Sequence, residues 1–336
     1  MGSPRKIAII YNAPTSSHYD AAGETAAMTA VLEEVEAVKT VLERAGHQVT
    51  TVPLLPPREQ AAEVIQKIKA EVVFNLFEGF GDDAEAEAFI ASVLADTGLP
   101  LTGCQAHALA LALDKGKSKE LLLSVGVPTP RYQVLNPSLI SQFALSFPCI
   151  VKPGNEDASH GLGKDSVVYD KDALRRQVER ISTLFGGQAL VEEFIDGREF
   201  NATVLGNDRP VVLPVSEIVY FLPSNIARII TYEGKWEKDS VFFKGTKPVC
   251  PATLSPDEKS AIKRIVMAAF RAVGCRGYAR IDMRQDAEGS IKVLEVNPNP
   301  DIAPDSGAAR QAQAAGLSYD EFILKIVQLA LEDTRS

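Results

Sequence analysis

The first hundred residues alternate short, continuous apolar runs with longer amphipathic segments, and this alternation leaves few folds open. KIAIIYN, HQVTTVPL and EVVFNLFEG read as strands, the first and third with the continuous apolarity of strands buried on both faces. Between the first two, AVLEEVEAVKTVLERAG sets Val31, Leu32, Val35, Val38, Leu42 and Ala45 at helical spacing, with Gly46 where a C-terminal cap belongs. PREQAAEVIQKIKA supplies the next helix, and AEAEAFIASVLADTG with LPLTG carries the pattern to about residue 104. Such alternation predicts a parallel sheet with right-handed crossovers.

Beyond residue 104 the rhythm changes. HALALALDKGKSKELLLSV reads as helix, glycine-containing break and helix, and FPCIVKPGNEDASHGLGKDSVVYD as strand, polar glycine-bearing loop and strand. KDALRRQVERISTLF is a helix, QALVEEFIDGREFNATVLG two strands joined through IDG, and the chain ends on the amphipathic SYDEFILKIVQLALED. Helices and antiparallel strands after a parallel-sheet unit predict α+β modules on an α/β base, and 336 residues suffice for two or three domains. A net charge of −9 argues against bulk nucleic-acid binding. No apolar run reaches the roughly 18 residues of a membrane span. Cys104, Cys149, Cys250 and Cys275 show no metal-ligand spacing and read as reduced structural thiols. The chain enters a strand with no leader pattern, so the expectation is a cytoplasmic protein.

The chemistry concentrates in GYARIDMRQDAEGSIKVLEVNPNPD, a hairpin around DAEG. Strand side chains alternate faces. With Gln285 opposite Ser290, Arg280 would pair with Glu295 and Asp282 would lie diagonal to it, so that these three and Asn297 share one face. Asp282, Glu295 and Asn297 are hard oxygen ligands suited to Mg²⁺. A cross-strand Arg280–Glu295 ion pair on a solvated face is the competing reading. In VKPGNEDASHGLGKDS, Lys152 ends a strand before a loop whose glycines would let backbone N–H groups approach phosphates; a glycine-rich hairpin turn would look similar. LVEEF followed by GREF offers carboxylates to a nucleotide, or equally a solvent-exposed strand edge.

The order of these motifs is more specific than any one of them. LDKGKSKELL, CIVKP with GLG, LVEEF with GREF, GYARID and VLEVNPNP follow one another as in the ATP-grasp superfamily, and the chain resembles the D-alanine–D-alanine ligases within it over nearly its whole length. The resemblance implies a Rossmann-like N-terminal (pre-ATP-grasp) domain, residues 1–104, followed by a two-lobed ATP-grasp fold. Its central lobe would be residues 105–195 and its C-terminal lobe, with the metal site, residues 196–332. It further implies that Lys115 and Lys152 hold ATP phosphates, that Glu192 and the backbone at Phe194 and Ile195 read adenine, and that Glu199 holds the ribose. Ser159 and Leu294 belong to the same nucleotide-binding set. Lys235 would contact phosphate from a mobile covering loop. Asp282, Glu295 and Asn297 would bind Mg²⁺, with Mn²⁺ as an alternative ion. Arg280 would stabilise the tetrahedral oxyanion, and Ser306 the second substrate's carboxylate. The implied reaction joins a small-molecule carboxylate to an amine through an acyl phosphate, in a homodimer without nucleic-acid or membrane partners.

Departures from the family cluster at the amino-acid pocket. Thr29, Ala158 and Trp236 stand where the family links a Glu, a Ser and a Tyr, and Asp301 stands for a glycine beyond the metal-binding Asn. FEGFGDDAE replaces the family's HG-x-GGEDG. Asp20, Glu33 and Glu34 are the carboxylates that could take over amine binding from a shifted position. The expectation is an amide-forming ligase with an altered amino-acid pocket. A genuine D-alanine–D-alanine ligase and a non-catalytic ATP-binding sensor are the alternatives.

Overall fold

The computed structural model describes residues 3–24 and 26–333, built around three sheets. In the first, β1 (Lys6–Asn12) is central, with β2 (Gln48–Leu54) and β3 (Val72–Leu76) parallel on either side. Helices α1 (His18–Ala22) and α2 (Ala26–Arg44) connect β1 to β2, α3 (Arg58–Ile65) connects β2 to β3, and α4 (Ala86–Asp96) follows β3. Every residue of β3 is buried, as are Ile7 to Ile10 of β1, which accounts for their unbroken apolar runs. Leu101 extends the sheet by a parallel bridge to Val73.

Helices α5 (Ala106–Leu113) and α6 (Lys115–Ser124) lead out of this unit. The break between them falls at Asp114 rather than at the glycine. The Asp114 carboxylate caps α6 by accepting the Lys117 N–H at 2.9 Å, and Gly116 lies inside the helix. A second, antiparallel sheet has β4 (Tyr132–Leu135), β5 (Cys149–Pro153), β6 (Val167–Val168) and β7 (Ala189–Glu193) in the order β4–β7–β5–β6. Leu174, Val178 and Ile181 of α7 (Lys171–Leu184) pack on its Cys149, Val151 and Val191.

The third sheet runs β11 (Thr246–Val249), β10 (Ser216–Tyr220), β8 (Glu199–Leu205), β12 (Tyr278–Gln285), β13 (Ile291–Asn297), with β9 (Val211–Val212) paired to β8. Between β10 and β11 lie α8 (Tyr232–Trp236) and α9 (Val241–Lys244), and α10 (Pro256–Val273) buries Ile262, Val266 and Phe270 against the sheet. The strands β7 and β8, joined through IDG, belong to different sheets, so the segment between them crosses from one sheet to another. Gly197 is needed there, because a Cβ would lie 1.7 Å from the Gln285 carbonyl oxygen of β12. After β13 the chain forms α11 (Gly307–Ala314) and α12 (Tyr319–Asp333). Phe322, Ile323 and Ile326 of α12 join the core of the first unit with Ile7, Val38 and Phe74. Among the described residues no helix is long and apolar enough to cross a membrane.

Candidate active site

The β12–β13 hairpin forms, but its register corrects the simple pairing. Gln285 faces Ile291 rather than Ser290, and an irregularity after Asp282 takes up Leu294 as the extra residue of β13. Asp282 therefore lies directly across from Glu295, and Arg280 across from Asn297, not from Glu295. All four still share a face, because residues directly opposite point the same way.

Like charges directly opposite destabilise a hairpin, and the surrounding residues compensate. Arg280 grips Asp282 in a fork, Nε to Oδ1 at 2.7 Å and Nη2 to Oδ2 at 2.8 Å, while Asn297 Nδ2 donates to Oδ2 at 3.2 Å. Lys115 Nζ stands 3.7 Å from Glu295 Oε2. Burial opposes ionisation of Glu295, but Lys115, Lys152 and Arg280 outweigh it and hold the carboxyl down to about 2. Burial raises Asp282, and Glu295 adds to the rise against the pull of Arg280. Two ionisable carboxylates and an amide on a rigid hairpin fit a small hard cation that completes its shell with phosphate and water. Among the described residues no group of three or more His, Cys, Asp or Glu converges to hold a metal, so a cation here needs those outside ligands.

Next to this face lies a buried charge triad. Glu192 of β7, 1% exposed, takes Lys152 Nζ of β5 at 2.5 Å and is also paired with Lys119 of α6. Burial opposes its ionisation, yet Lys119 and Lys152 together pull its carboxyl below the ordinary range. Lys119, 1% exposed, was not among the expected site residues. It donates to Thr129 Oγ1 at 2.7 Å and to the carbonyl of Leu294 at 3.1 Å, and burial lowers its ammonium to about 8 against the pull of Glu192. Its signal in DKGKSK is its position one helical turn after Lys115, on the same helix face. Lys115 itself donates to the Glu156 carbonyl at 2.7 Å and to Asp157 at 2.8 Å.

Glu199 is 9% exposed, and its Oε2 already accepts the Tyr220 hydroxyl at 2.7 Å and Arg284 Nε at 2.9 Å. Arg284 also donates to the Ile195 carbonyl at 2.7 Å and lies 5.4 Å from the centre of the Phe194 ring. The sequence reading missed Arg284, although it shares the β12 face with Arg280 and Asp282 by strand alternation.

The glycine-bearing loop between β5 and β6 holds Ala158 and Ser159 at φ of 52° and 63°, left-handed backbone that non-glycine residues adopt at a cost. The segment around α8 docks on this loop. Trp236 Nε1 donates to the Ala158 carbonyl at 3.2 Å, and the Tyr232 N–H to the Leu162 carbonyl at 2.9 Å. Lys235 Nζ lies 4.8 Å from the Trp236 ring centre. From the first unit, Glu24 reaches the loop's far side. It meets His160 Nδ1 at 2.8 Å and accepts the Gly161 N–H at 3.0 Å. The Tyr19 ring stacks on His160 at 3.9 Å, and its hydroxyl donates to Glu156 at 2.6 Å. The link expected to be lost with Thr29, Ala158 and Trp236 is thus remade through a backbone carbonyl and Glu24. Asp20 is spent capping α1 and Glu33 faces solvent, whereas Glu34 is buried.

Beyond β13, Ser306 is 6% exposed and caps α11, its Oγ accepting the Ala309 N–H at 3.2 Å. Asn299 pins this exit to the first unit, donating to the Phe77 carbonyl at 3.2 Å and to Glu87 at 3.0 Å. Glu34 Oε1 accepts the Ile302 N–H at 2.7 Å.

The family described as D-ala D-ala ligase C-terminus matches residues 121–328. A D-alanine–D-alanine ligase from Haemophilus influenzae is 32% identical over 300 residues, covering 87% of this chain and 94% of that protein. An uncharacterised protein of Sinorhizobium fredii is 33% identical over 307 residues, covering 88% and 86%. Among solved structures, the D-alanine–D-alanine ligase from Bacillus anthracis complexed with ATP aligns with a TM-score of 0.75 at 21% identity, over 99% of both chains. The VanG D-Ala:D-Ser ligase from Enterococcus faecalis gives 0.74 at 21%, over 98% of this chain and all of that one.

Proposed function

The chain belongs to the D-alanine–D-alanine ligase family, with the ATP-grasp fold, and we propose that it is an ATP-dependent carboxylate–amine ligase whose amino-acid pocket departs from one serving D-alanine. The observation that carries this reading is the single hairpin face bearing Arg280, Asp282, Glu295 and Asn297, beside the buried Lys115 and Lys152.

In this reading ATP and Mg²⁺ are the partners of the site. Asp282, Glu295 and Asn297 hold the metal, which when bound draws charge from the phosphate oxygens. Lys115 and Lys152 neutralise the phosphates from the other lobe, with Lys119 holding Glu192 in place. Glu192 and the backbone at Phe194 and Ile195 present acceptors and donors to adenine, while Ser159 and Leu294 line its phosphate and base ends. Glu199 keeps one oxygen for a ribose hydroxyl, its other being fixed by Tyr220 and Arg284. A substrate carboxylate attacks the γ-phosphorus, ADP departs and an acyl phosphate forms. The amine then attacks the acyl carbon, Arg280 faces the negative charge that develops on its oxygen, and phosphate leaves. Lys235 and Trp236 close over the intermediate and exclude water. Ser306 at the N-terminus of α11 receives the acceptor's carboxylate.

The proposed division is 1–104, 105–195 and 196–332, with α12 packed back on the first part. Homodimerisation follows the family, and dependence on ATP supports a cytoplasmic location. An oxyanion arginine has no task in a protein that only senses ATP, which favours catalysis. The test is phosphate release from ATP and Mg²⁺ across pairs of D- and L-amino acids. Release that no pair stimulates would leave the sensor reading instead.

A further inference from the structure

A short segment of the first unit grips the glycine-bearing loop, and neither the ATP contacts nor the metal ligands account for it. The segment is rigid before it reaches the loop. Ser17 and Asp20 close a capping box on α1. The His18 N–H donates to Asp82 Oδ1 at 2.8 Å, and His18 Nδ1 lies 3.0 Å from the same oxygen. Asp82 belongs to FEGFGDDAE, so one departure from the family anchors the segment that carries another. The Glu24 N–H returns to the Tyr19 carbonyl at 2.9 Å, and the Glu24 side chain reaches the loop from this fixed base, 6% exposed.

On the loop, Glu24 holds two consecutive residues. Its Oε2 lies 2.8 Å from His160 Nδ1 and accepts the Gly161 N–H at 3.0 Å, with Oε1 3.2 Å from the same N–H. Tyr19 stacks on the buried His160 ring at 3.9 Å. The Gly161 carbonyl is held from elsewhere, accepting Arg180 Nη1 of α7 at 2.9 Å. Gly161 has no slack, because at its φ of 74° a Cβ would lie 2.7 Å from Pro153 Cγ and 2.9 Å from Phe185 Cε2. Ala158 and Ser159 just before it keep left-handed backbone, which persists only where the surroundings over-determine it. The His160 N–H donates to the Asp157 carbonyl at 3.0 Å, and Asp157 Oδ1 takes Lys115 Nζ at 2.8 Å. A continuous chain of hydrogen bonds thus runs from Glu24 to Lys115.

We propose that Glu24 is a positioning residue, which with His160 fixes the backbone of residues 157–162, and through it Ser159 and Lys115, in the arrangement that holds the γ-phosphate of ATP for attack. This rests on the ligase reading and adds to it a residue outside the substrate contacts. The groups assigned to adenine and ribose, Glu192 and Glu199, stand on β7 and β8 and are not part of this chain of bonds. Loss of the grip therefore bears on phosphate placement more than on nucleotide affinity. A displacement of about 1 Å in a reacting group is enough to cost about 10²-fold in rate.

The test measures amide formation with ATP, Mg²⁺ and the amino-acid pair of highest turnover, with rates counted per site that binds a fluorescent ATP analogue. Glu24→Ala should lower kcat by about tenfold or more while KM for ATP stays within about threefold of the parent. Glu24→Gln should recover most of that loss, because its amide oxygen can accept the Gly161 N–H while its NH₂ faces His160 Nδ1. A role in stability alone would lower the melting temperature and leave kcat per site near the parent's. A smaller fall in kcat, or a glutamine variant as slow as the alanine one, overturns the proposal while leaving a ligase. If Glu24→Ala does not fold, Glu24→Asp takes its place with the same expectation, since it keeps the charge but falls one methylene short of the loop. If no pair is turned over, the ligase reading fails separately, and hydrogen exchange of the loop amides in residues 155–163 decides. With a non-hydrolysable ATP analogue bound, those amides should exchange about tenfold or more faster in the variant than in the parent, as expected when a local restraint is lost. Equal exchange in the two proteins overturns the proposal.

Discussion

Asp282 and Glu295 face each other directly across the β12–β13 hairpin, and each is neutralised from a different direction, Asp282 by Arg280 on its own strand and Glu295 by Lys115 from α6. Glu295→Gln and Asp282→Asn should therefore both abolish turnover, since each removes a metal ligand, but they should differ in the protein without metal. Glu295→Gln removes a carboxylate that Lys115, Lys152 and Arg280 favour in its ionised form and should lower stability, an effect partly offset by relief of the like-charge contact with Asp282. Asp282→Asn strands the Arg280 guanidinium and should destabilise more. Activity within a few-fold of the parent at saturating Mg²⁺, or the reverse order in urea denaturation, contradicts the assignment.

Lys119 is expected to matter as much as Lys152. Lys119→Met leaves Glu192 buried with half its compensation, a change that costs about 3–5 kcal/mol when a buried pair is broken. Stability should fall on that scale and ATP affinity with it. Adding Glu192→Gln to Lys119→Met should restore stability but not affinity. Titration with a fluorescent ATP analogue and thermal melts of the single and double variants provide the check.

Arg280→Ala should separate binding from chemistry. ATP should still bind, whereas amide formation should drop about 10²–10³, the scale of losing one oxyanion donor. Arg280→Lys should recover little, because a lysine cannot reproduce the fork on Asp282. Loss of ATP affinity equal to the loss of rate would assign Arg280 to ground-state binding instead.

Glu87 gives a pH dependence with a defined sign. Burial pushes its carboxyl up to about 8 although Asn299 donates to it. The folded chain then holds a proton that the unfolded chain releases near its ordinary value of 4.5. Stability from this group is complete below pH 4.5 and is lost as pH rises towards 8, by at most ~1.4 kcal/mol per pH unit. Glu87→Gln keeps the acceptor for Asn299 and removes the titration. The difference between parent and variant in urea midpoints should shift in the variant's favour from pH 5 to pH 8. A constant difference across that range would show that Glu87 ionises normally.

Much of the fold was legible because period and burial agree. The apolar runs of β1 and β3 could only be strands covered on both faces, and Gly46 sits past a helix end, whereas the break before α6 falls at Asp114 and not at the glycine expected there. The hairpin's polar face was legible from alternation alone, but its register was not. A bulge at Leu294 leaves no mark in a sequence where apolar and polar residues continue in turn on both sides of it. The local pattern did not show the separation of β7 from β8, because IDG suits a tight turn as well as a crossing, and the division at 195/196 followed only from the resemblance. Lys119 and Glu24 were missed for another reason. A lysine on a helix and a glutamate in a loop read as solvated until the packing that buries them is known. Glu24 comes from a segment whose position against the glycine loop no local pattern encodes.

That position also bears on Trp236. Its indole N–H donates to the carbonyl of Ala158, in the strained stretch of a loop that Glu24 holds from the other side. Trp236→Phe keeps the ring over Lys235 but removes the donor, at a cost near ~1 kcal/mol for one neutral hydrogen bond. The closed arrangement should then be about fivefold less populated relative to the open one. Because closure keeps water from the acyl phosphate, the variant should release more phosphate for each amide made. Its ATP affinity should change less than that ratio does. Phosphate and amide counted in the same reaction provide the measurement. A ratio equal to the parent's would mean that the Trp236 hydrogen bond does not hold the cover shut, and that Tyr232, through its own backbone bond to Leu162, suffices.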